Sequence, residues 1–312
     1  MQLQPTADSP DTERKRLKAH QTQKSMYGSG KAGMIVGGVF VLIGGAIVLI
    51  GLGVIPMDPE DFNGPPELAA AFGGLFVLVG LMGIVFGARA QQRYARWKAL
   101  SERYPDQPWL ADYPWDNRGI TDDRLREIKR TAGWVVFLAI FLAPFHWVAF
   151  TIAGGCMVAF MALFDLVLLL MIGHCVLLVL RQRKYGTSRL EFARFPFHPG
   201  ETAEVGFLNE NIAAYNRMLF TLRFIQECIE YRGTGKNRSQ HVYCDQLYAY
   251  ALETVEPGTL NWAAGPVPLT FDLPDGDVTT RLSSSRPCYW KLEVHADTPG
   301  VDLKASFLVP IY

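Results

Sequence analysis

Two stretches of this chain carry no charge at all, and they limit the folds open to it. Ala32 to Met57 contains no Asp, Glu, Lys or Arg, and neither does Leu68 to Ala88. Each matches the roughly 20 residues a helix needs to cross the hydrocarbon core of a bilayer. A third apolar run, Ala132 to Leu180, is about twice as long and holds one acid, Asp165. It divides at Gly154-Gly155-Cys156, predicting spans at about 132–153 and 157–180. The expected fold is an α+β membrane protein. Two transmembrane helical hairpins, 32–88 and 132–180, are flanked by a polar basic tail at 1–31 and a linker with juxtamembrane helices at 89–131. The first span follows some thirty polar residues and is too long for the apolar core of a cleaved signal peptide.

Basic residues set the direction. Arg14, Lys15, Arg16, Lys18, Lys24 and Lys31 precede span one; Arg89, Arg93, Arg96 and Lys98 follow span two. Lys129 and Arg130 precede span three, and Arg181, Arg183 and Lys184 follow span four. The loop Met57 to Glu67 has acids but no Lys or Arg. The positive-inside rule therefore puts both termini in the cytoplasm. Arg89, Arg93 and Arg96 share one helix face beside Tyr94 and Trp97, a pattern that anchors to anionic headgroups.

The phrase GGVFVLIG, Gly37 to Gly44, returns as GGLFVLVG, Gly73 to Gly80. Gly37, Gly44 and Gly51 recur every seven residues, as do Gly73, Gly80 and Gly87, and such a step keeps them on one slowly drifting face. Helices in lipid gain from close backbone approach, which small residues permit. The expectation is an antiparallel hairpin packed along these glycines; a pore lining or an oligomer contact is the alternative. His146 and Asp165 lie about equally far from the turn near residue 155, so they are expected at similar depth, within hydrogen-bond reach across the second hairpin. Ionisable groups inside a span are functional suspects. The pair is either a proton relay or ion site, or interhelical glue. His174 is expected to face elsewhere.

The segment Tyr104 to Gly119, rich in Pro and Trp, is no long helix. Thr121 is the expected N-cap of a short polar helix leading into span three. After Lys184 the apolar period changes to two. LEFARF, TAEVGFL, MLFTLRFIQECIEYR, HVYCDQLYAYAL, VPLTFDL, YWKLEVHA and VDLKASFLVPIY read as strands, separated by turn-forming segments. They predict a cytosolic antiparallel β-sandwich over 187–312.

Thirty basic residues against thirty acidic ones argue against nucleic acid as a partner. The five cysteines have no metal-ligand spacing, so no metal or cofactor is expected. GSGK (Gly28 to Lys31) and GTGK (Gly233 to Lys236) lack the rest of a phosphate loop. Asn237-Arg238-Ser239 matches a glycosylation acceptor, on the wrong side of the membrane. Ser283 to Ser285 lack a nucleophile elbow.

Three segments resemble an uncharacterised family of bacterial membrane proteins, the domain of unknown function 3592 group. They are YPDQPWL before span three, RGTGKNRSQHVY in a hairpin, and YWKLEVHADTPGVDLKASFLVPIY at the end. The family's matching motifs are P-W-L-W-x-x-D-W, G-K-N-R-S/T and W-x-L-x-V-x-A-x-x-P-G-V-D-Y. This chain departs at Leu303, where Tyr is usual, and at Ala111-Asp112-Tyr113. The resemblance implies four spans, a terminal sandwich and a bacterial inner membrane, with no reaction and no catalytic residue. The last strands are also similar in pattern to the arrestin-like sandwich. A non-enzymatic scaffold is expected, contacting a protein partner through Gly233, Lys236, Asn237 and Arg238, or forming a homo-oligomer. The alternative is a small transporter, channel or membrane enzyme built on His146 and Asp165.

Overall fold

The computed structural model describes residues 1–17, 30–56, 65–151, 155–212, 214–233, 238–260 and 262–312. The chain divides into two compact units. One comprises Tyr27–Arg96 and Lys129–Val176; the other comprises Met1–Met26, Trp97–Ile128 and Leu177–Tyr312. The architecture is α+β, with four long apolar helices and antiparallel sheets.

The long helices are α1 (Lys31–Gly51), α2 (Pro66–Arg103), α4 (Arg124–Thr151) and α5 (Gly155–Tyr185); α3 (Trp109–Asp112) is a single turn. All four long helices have the length and composition to cross a membrane. Their large side chains mostly point outward: Leu42 is 75% exposed and Phe150 72%. Helices apolar on every side suit an apolar surrounding. Inside the helical unit, backbone approach does what side-chain burial does elsewhere. A methyl group placed on Gly37 would lie 2.6 Å from the Gly80 carbonyl oxygen, and one on Gly44 2.6 Å from that of Gly73. Reciprocal placements at Gly80 and Gly73 fall 2.6 Å and 2.7 Å from the Gly37 and Gly44 oxygens. The α1–α2 pair is therefore antiparallel and in contact along this seam. Gly87 meets Gly30 at its far end, and Gly51 meets Pro66 and Ala70 at the other. Between α4 and α5 a small cluster of Leu142, Ala149 and Met161 is buried.

The second unit is a β-sandwich. Its large sheet has the order β1 (Leu3–Pro5), β8 (Ser239–Thr254), β7 (Arg217–Arg232), β11 (Cys288–Asp297), β12 (Leu303–Val309), with β2 (Lys15–Leu17) also paired to β8. Its small sheet runs β10 (Val267–Asp272), β5 (Thr202–Leu208), β4 (Arg189–Phe192), β3 (Gly119–Thr121). A further two-stranded pair joins β6 (Ala214–Tyr215) to β9 (Gly258–Thr259). Strand β10 alternates buried and exposed residues, as a strand with one covered face must. Phe207, Phe220 and Phe307 meet edge to face in the core, and Trp290 lies against Phe224 and Tyr248. Strand β11 differs, being buried on nearly every residue. Its second face belongs to another apolar cluster, in which Ile225, Tyr289 and Leu308 pack with Leu17, Tyr113 and Trp115. The outer face of the large sheet is thus covered around Tyr289, which explains why Cys288 to Leu292 are buried without alternation.

Three expectations are corrected here. Residues 1–31 are not simply a polar tail, because Leu3–Pro5 and Lys15–Leu17 are strands of the large sheet. Residues 89–131 are not simply a linker. Gly119–Thr121 is the edge strand of the small sheet, and Tyr113 and Trp115 cover the large one. Thr121 ends that strand, so it does not cap a helix; α4 begins at Arg124, with the Asp123 carbonyl accepting the Glu127 N–H at 2.9 Å. The sandwich therefore starts well before residue 187. Of the turn expected at residues 154–156, Gly154 lies outside the described residues and Gly155 and Cys156 already belong to α5; most of the acidic loop at 57–67 also lies outside them.

Candidate functional site

In the helical unit, α4 and α5 bring His146 and Asp165 together. The His146 Nε2 atom lies 3.0 Å from each carboxyl oxygen of Asp165, and Nδ1 lies 3.0 Å from the Leu142 carbonyl oxygen. A carbonyl oxygen can only accept, so Nδ1 carries a hydrogen. In a neutral ring Nε2 is then an acceptor facing a carboxyl group. The contact at Nε2 therefore needs one more proton, held either by the ring as an imidazolium or by Asp165 as a carboxylic acid. In both forms the pair is neutral overall and shares one proton. This arrangement can bind and release a proton, and it can also hold two helices together. His174 stands exposed on α5.

The seam glycines Gly37, Gly44, Gly73, Gly80 and Gly87 are buried between α1 and α2, and Gly51 is half-buried at the end of that contact. Gly38, Gly45 and Gly74, one position further on, have nothing within 4 Å. The repeated Gly-Gly pairs thus have one member in the contact and one facing outward. Arg89, Arg93 and Arg96 are all exposed on α2. They sit at the spacing that shares a helix face.

In the sandwich unit, Gly233 follows β7 with φ +90 and is exposed. Arg238 precedes β8, and its guanidinium lies 4.1 Å over the Tyr231 ring. Lys236 and Asn237 lie outside the described residues.

Several polar sites of this unit escaped the sequence reading. The Arg124 side chain is 5% exposed and donates from Nη1 to the Gly186 carbonyl (3.0 Å) and from Nη2 to the Lys304 carbonyl (3.1 Å). Asp122, 2% exposed, sits 3.0 Å from the same guanidinium. Burial pushes the Asp122 carboxyl up, against the pull of Arg124. The end of α5 is held nearby. Lys184 Nζ donates to the Thr298 hydroxyl and to the Pro299 and Val301 carbonyls, and the Tyr185 hydroxyl contacts Thr298 and Val301. On the covered outer face of the large sheet, burial pushes the Tyr289 hydroxyl up, reinforced by Cys244 and Glu227. Burial also lowers the Lys291 ammonium, with Glu293 and Asp123 opposing. No linear motif marks these groups: Arg124 and Lys184 are held by backbone carbonyls far along the chain, and Asp122–Arg124 and Lys291–Glu293 are ordinary i, i+2 spacings.

Among the described residues no group of three or more His, Cys, Asp or Glu is placed to hold a metal ion. An open groove on the small sheet is lined by Glu191, Glu204, Gly206, Pro266 and Pro268.

No family model matches the chain, and no curated protein matches it. Among solved structures, it is similar to the crystal structure of Spo0M, a sporulation control protein from Bacillus subtilis. Sequence identity is 12%, over 40% of this chain and 48% of that one, with a TM-score of 0.22. The chain thus matches less than half the length of that protein, and a likeness so slight carries no argument.

Proposed function

We propose that this chain is a multi-pass membrane protein of the domain of unknown function 3592 type. On this reading it lies in a bacterial inner membrane with both termini cytoplasmic and presents its sandwich to a protein partner without catalysing a reaction. One observation carries the topology. Three chain segments, 1–17, 97–128 and 177–312, are separated in sequence by apolar hairpins, yet all contribute to one sandwich unit. Segments that share a sheet lie on one side of any membrane, so each hairpin must return to the side it left. The basic flanks then make that side the cytoplasm. The resemblance supports the bacterial setting, and the pattern of the last strands supports an arrestin-like sandwich as the finer fold.

The contact surface proposed is the tip of the β7–β8 hairpin, where Tyr231 and Arg238 are exposed. A photo-crosslinking residue at Arg238 in the full chain is expected to capture the same partner repeatedly in cells, and Tyr231→Ala is expected to weaken that capture. Repeated experiments with no recurrent partner would count against the reading.

A second reading is favoured by the proton shared between His146 and Asp165: a membrane transporter or channel using that pair. It expects proton flux into liposomes holding the purified chain, abolished by His146→Ala or Asp165→Asn at unchanged insertion. Equal flux with and without the substitutions, with lower thermal stability alone, would leave the pair as interhelical glue.

A further inference from the structure

Strand β8 has β7 along one side. Along the other, among the described residues, lie the chain's first seventeen residues and no strand from the body of the sandwich. Leu3–Pro5 pair with Leu252–Thr254 and Lys15–Leu17 with Cys244–Gln246. Between them the Ala249 N–H donates to the Asp11 carbonyl (2.8 Å), the Asp11 N–H returns to the Ala249 carbonyl (2.7 Å), and the Ala251 N–H donates to the Ser9 hydroxyl (2.9 Å). The segment runs antiparallel along the edge and satisfies backbone groups that the sheet would otherwise leave open.

Its side chains match the edge in charge. The Asp245 side chain is 7% exposed, and Arg14 approaches one of its oxygens with Nε at 2.8 Å and Nη2 at 2.6 Å. Arg16 lies 3.9 Å from the other oxygen, 3.7 Å from Glu230, and 3.6 Å over the Tyr243 ring. Both of these cations come from the N-terminal segment. A buried carboxylate is stable when a cation completes it, so this edge selects a cationic strand. Leu17, on the alternate face, packs with Ile225, Cys244 and Tyr289. The required pattern is therefore Arg-x-Arg-apolar in extended conformation.

We infer that the β8 edge is a strand-accepting site for a basic extended segment of another protein. Residues 3–17 are its built-in occupant, which the partner must displace. Backbone pairing supplies affinity, while Asp245, Glu230 and the apolar pocket for Leu17 supply selectivity. This inference rests on the partner-presenting reading and moves the contact from the hairpin tip to the edge.

The test uses the full chain in detergent micelles, a variant lacking residues 1–17, and the double variant Arg14→Glu/Arg16→Glu. The probe is a fluorescent peptide with the sequence of residues 10–17, PDTERKRL. Both variants are expected to bind it at least tenfold more tightly than the unaltered chain does. Asp245→Asn added to either should remove that gain. Hydrogen exchange should show the Ala249 and Ala251 amides exposed in the truncated chain and protected again on adding peptide. If truncation prevents folding, the double variant decides by the same readouts. Equal binding by a scrambled peptide, or no binding to either folded variant, would overturn the inference. So would a dimer, seen by native mass spectrometry, held by exchanged N-terminal segments. Crosslinking at Arg238 that persists when the peptide fails to bind would leave the partner-presenting reading standing and sink only the edge.

Discussion

The two units invert each other's packing. In the sandwich the largest side chains are innermost: Trp290, Phe207 and Phe220 are fully buried. In the helical unit the closest contacts fall on glycines, and Leu42, Phe150 and Leu170 face outward. On the proposed membrane reading, water makes the difference. Where water surrounds a fold, burying a large apolar side chain contributes roughly 1.5–3 kcal/mol. Where lipid surrounds it, that term nearly vanishes, and close backbone packing is what remains. One chain therefore uses glycine as an interior residue in one unit and tryptophan in the other.

Substitution at the two interiors should break this comparison in opposite ways. The largest effect is expected at Trp290, whose ring lies 5.1 Å from Phe224 and 5.5 Å from Tyr248. Trp290→Ala should cost the sandwich about 3–5 kcal/mol, read as a lower urea midpoint. Enlargement, not truncation, should injure the helical unit. Gly44→Val places atoms within 2.7 Å of the Phe76 Cβ and the Val77 nitrogen, so it should cost about 1–3 kcal/mol in thermal unfolding in micelles. Gly45→Val, into open space, should be nearly silent, and equal damage at both positions would refute the seam.

The smallest effect is one of pH and belongs to the sandwich. Burial raises the Asp112 carboxyl above the ordinary carboxylate range, although its Oδ2 accepts the Leu282 N–H at 3.1 Å. The folded state then holds this proton more tightly than the unfolded one. Stability from this group is greatest below the ordinary range and falls as pH rises toward the raised value. Asp112→Asn should flatten the part of the urea midpoint's dependence that sets in as pH rises above the ordinary carboxylate value of about 4. A slope that the substitution leaves unchanged would assign it elsewhere, Asp122 being the next group raised by burial.

Much of this contrast was legible in the sequence, since each unit announces itself by a period. Charge-free runs mark the helices, a seven-residue glycine step marks the seam, and equal distance from a turn places His146 opposite Asp165. Alternation over four or more residues marks the longer strands. Three-residue strands have no period to read. Leu3–Pro5, Lys15–Leu17 and Gly119–Thr121 were invisible for that reason. Arg14 and Arg16 looked like membrane-flanking charges because Asp245, their partner, lies more than two hundred positions away. Arg124 resembled any polar residue at a helix start, because its partners are the backbone carbonyls of Gly186 and Lys304. The Pro- and Trp-rich segment gave no sign of its place, yet its Trp115 indole N–H reaches the Tyr312 hydroxyl at 3.2 Å.

Cysteine accessibility in intact bacterial cells tests most directly the claim that both hairpins leave and re-enter one side of a membrane. With the native cysteines replaced, single cysteines are placed at the exposed positions Glu67, Asp106 and Val255 and treated with a membrane-impermeant thiol reagent. Glu67→Cys should be labelled in intact cells, and Asp106→Cys and Val255→Cys after permeabilisation alone. Labelling of Asp106→Cys or Val255→Cys in intact cells would contradict the account.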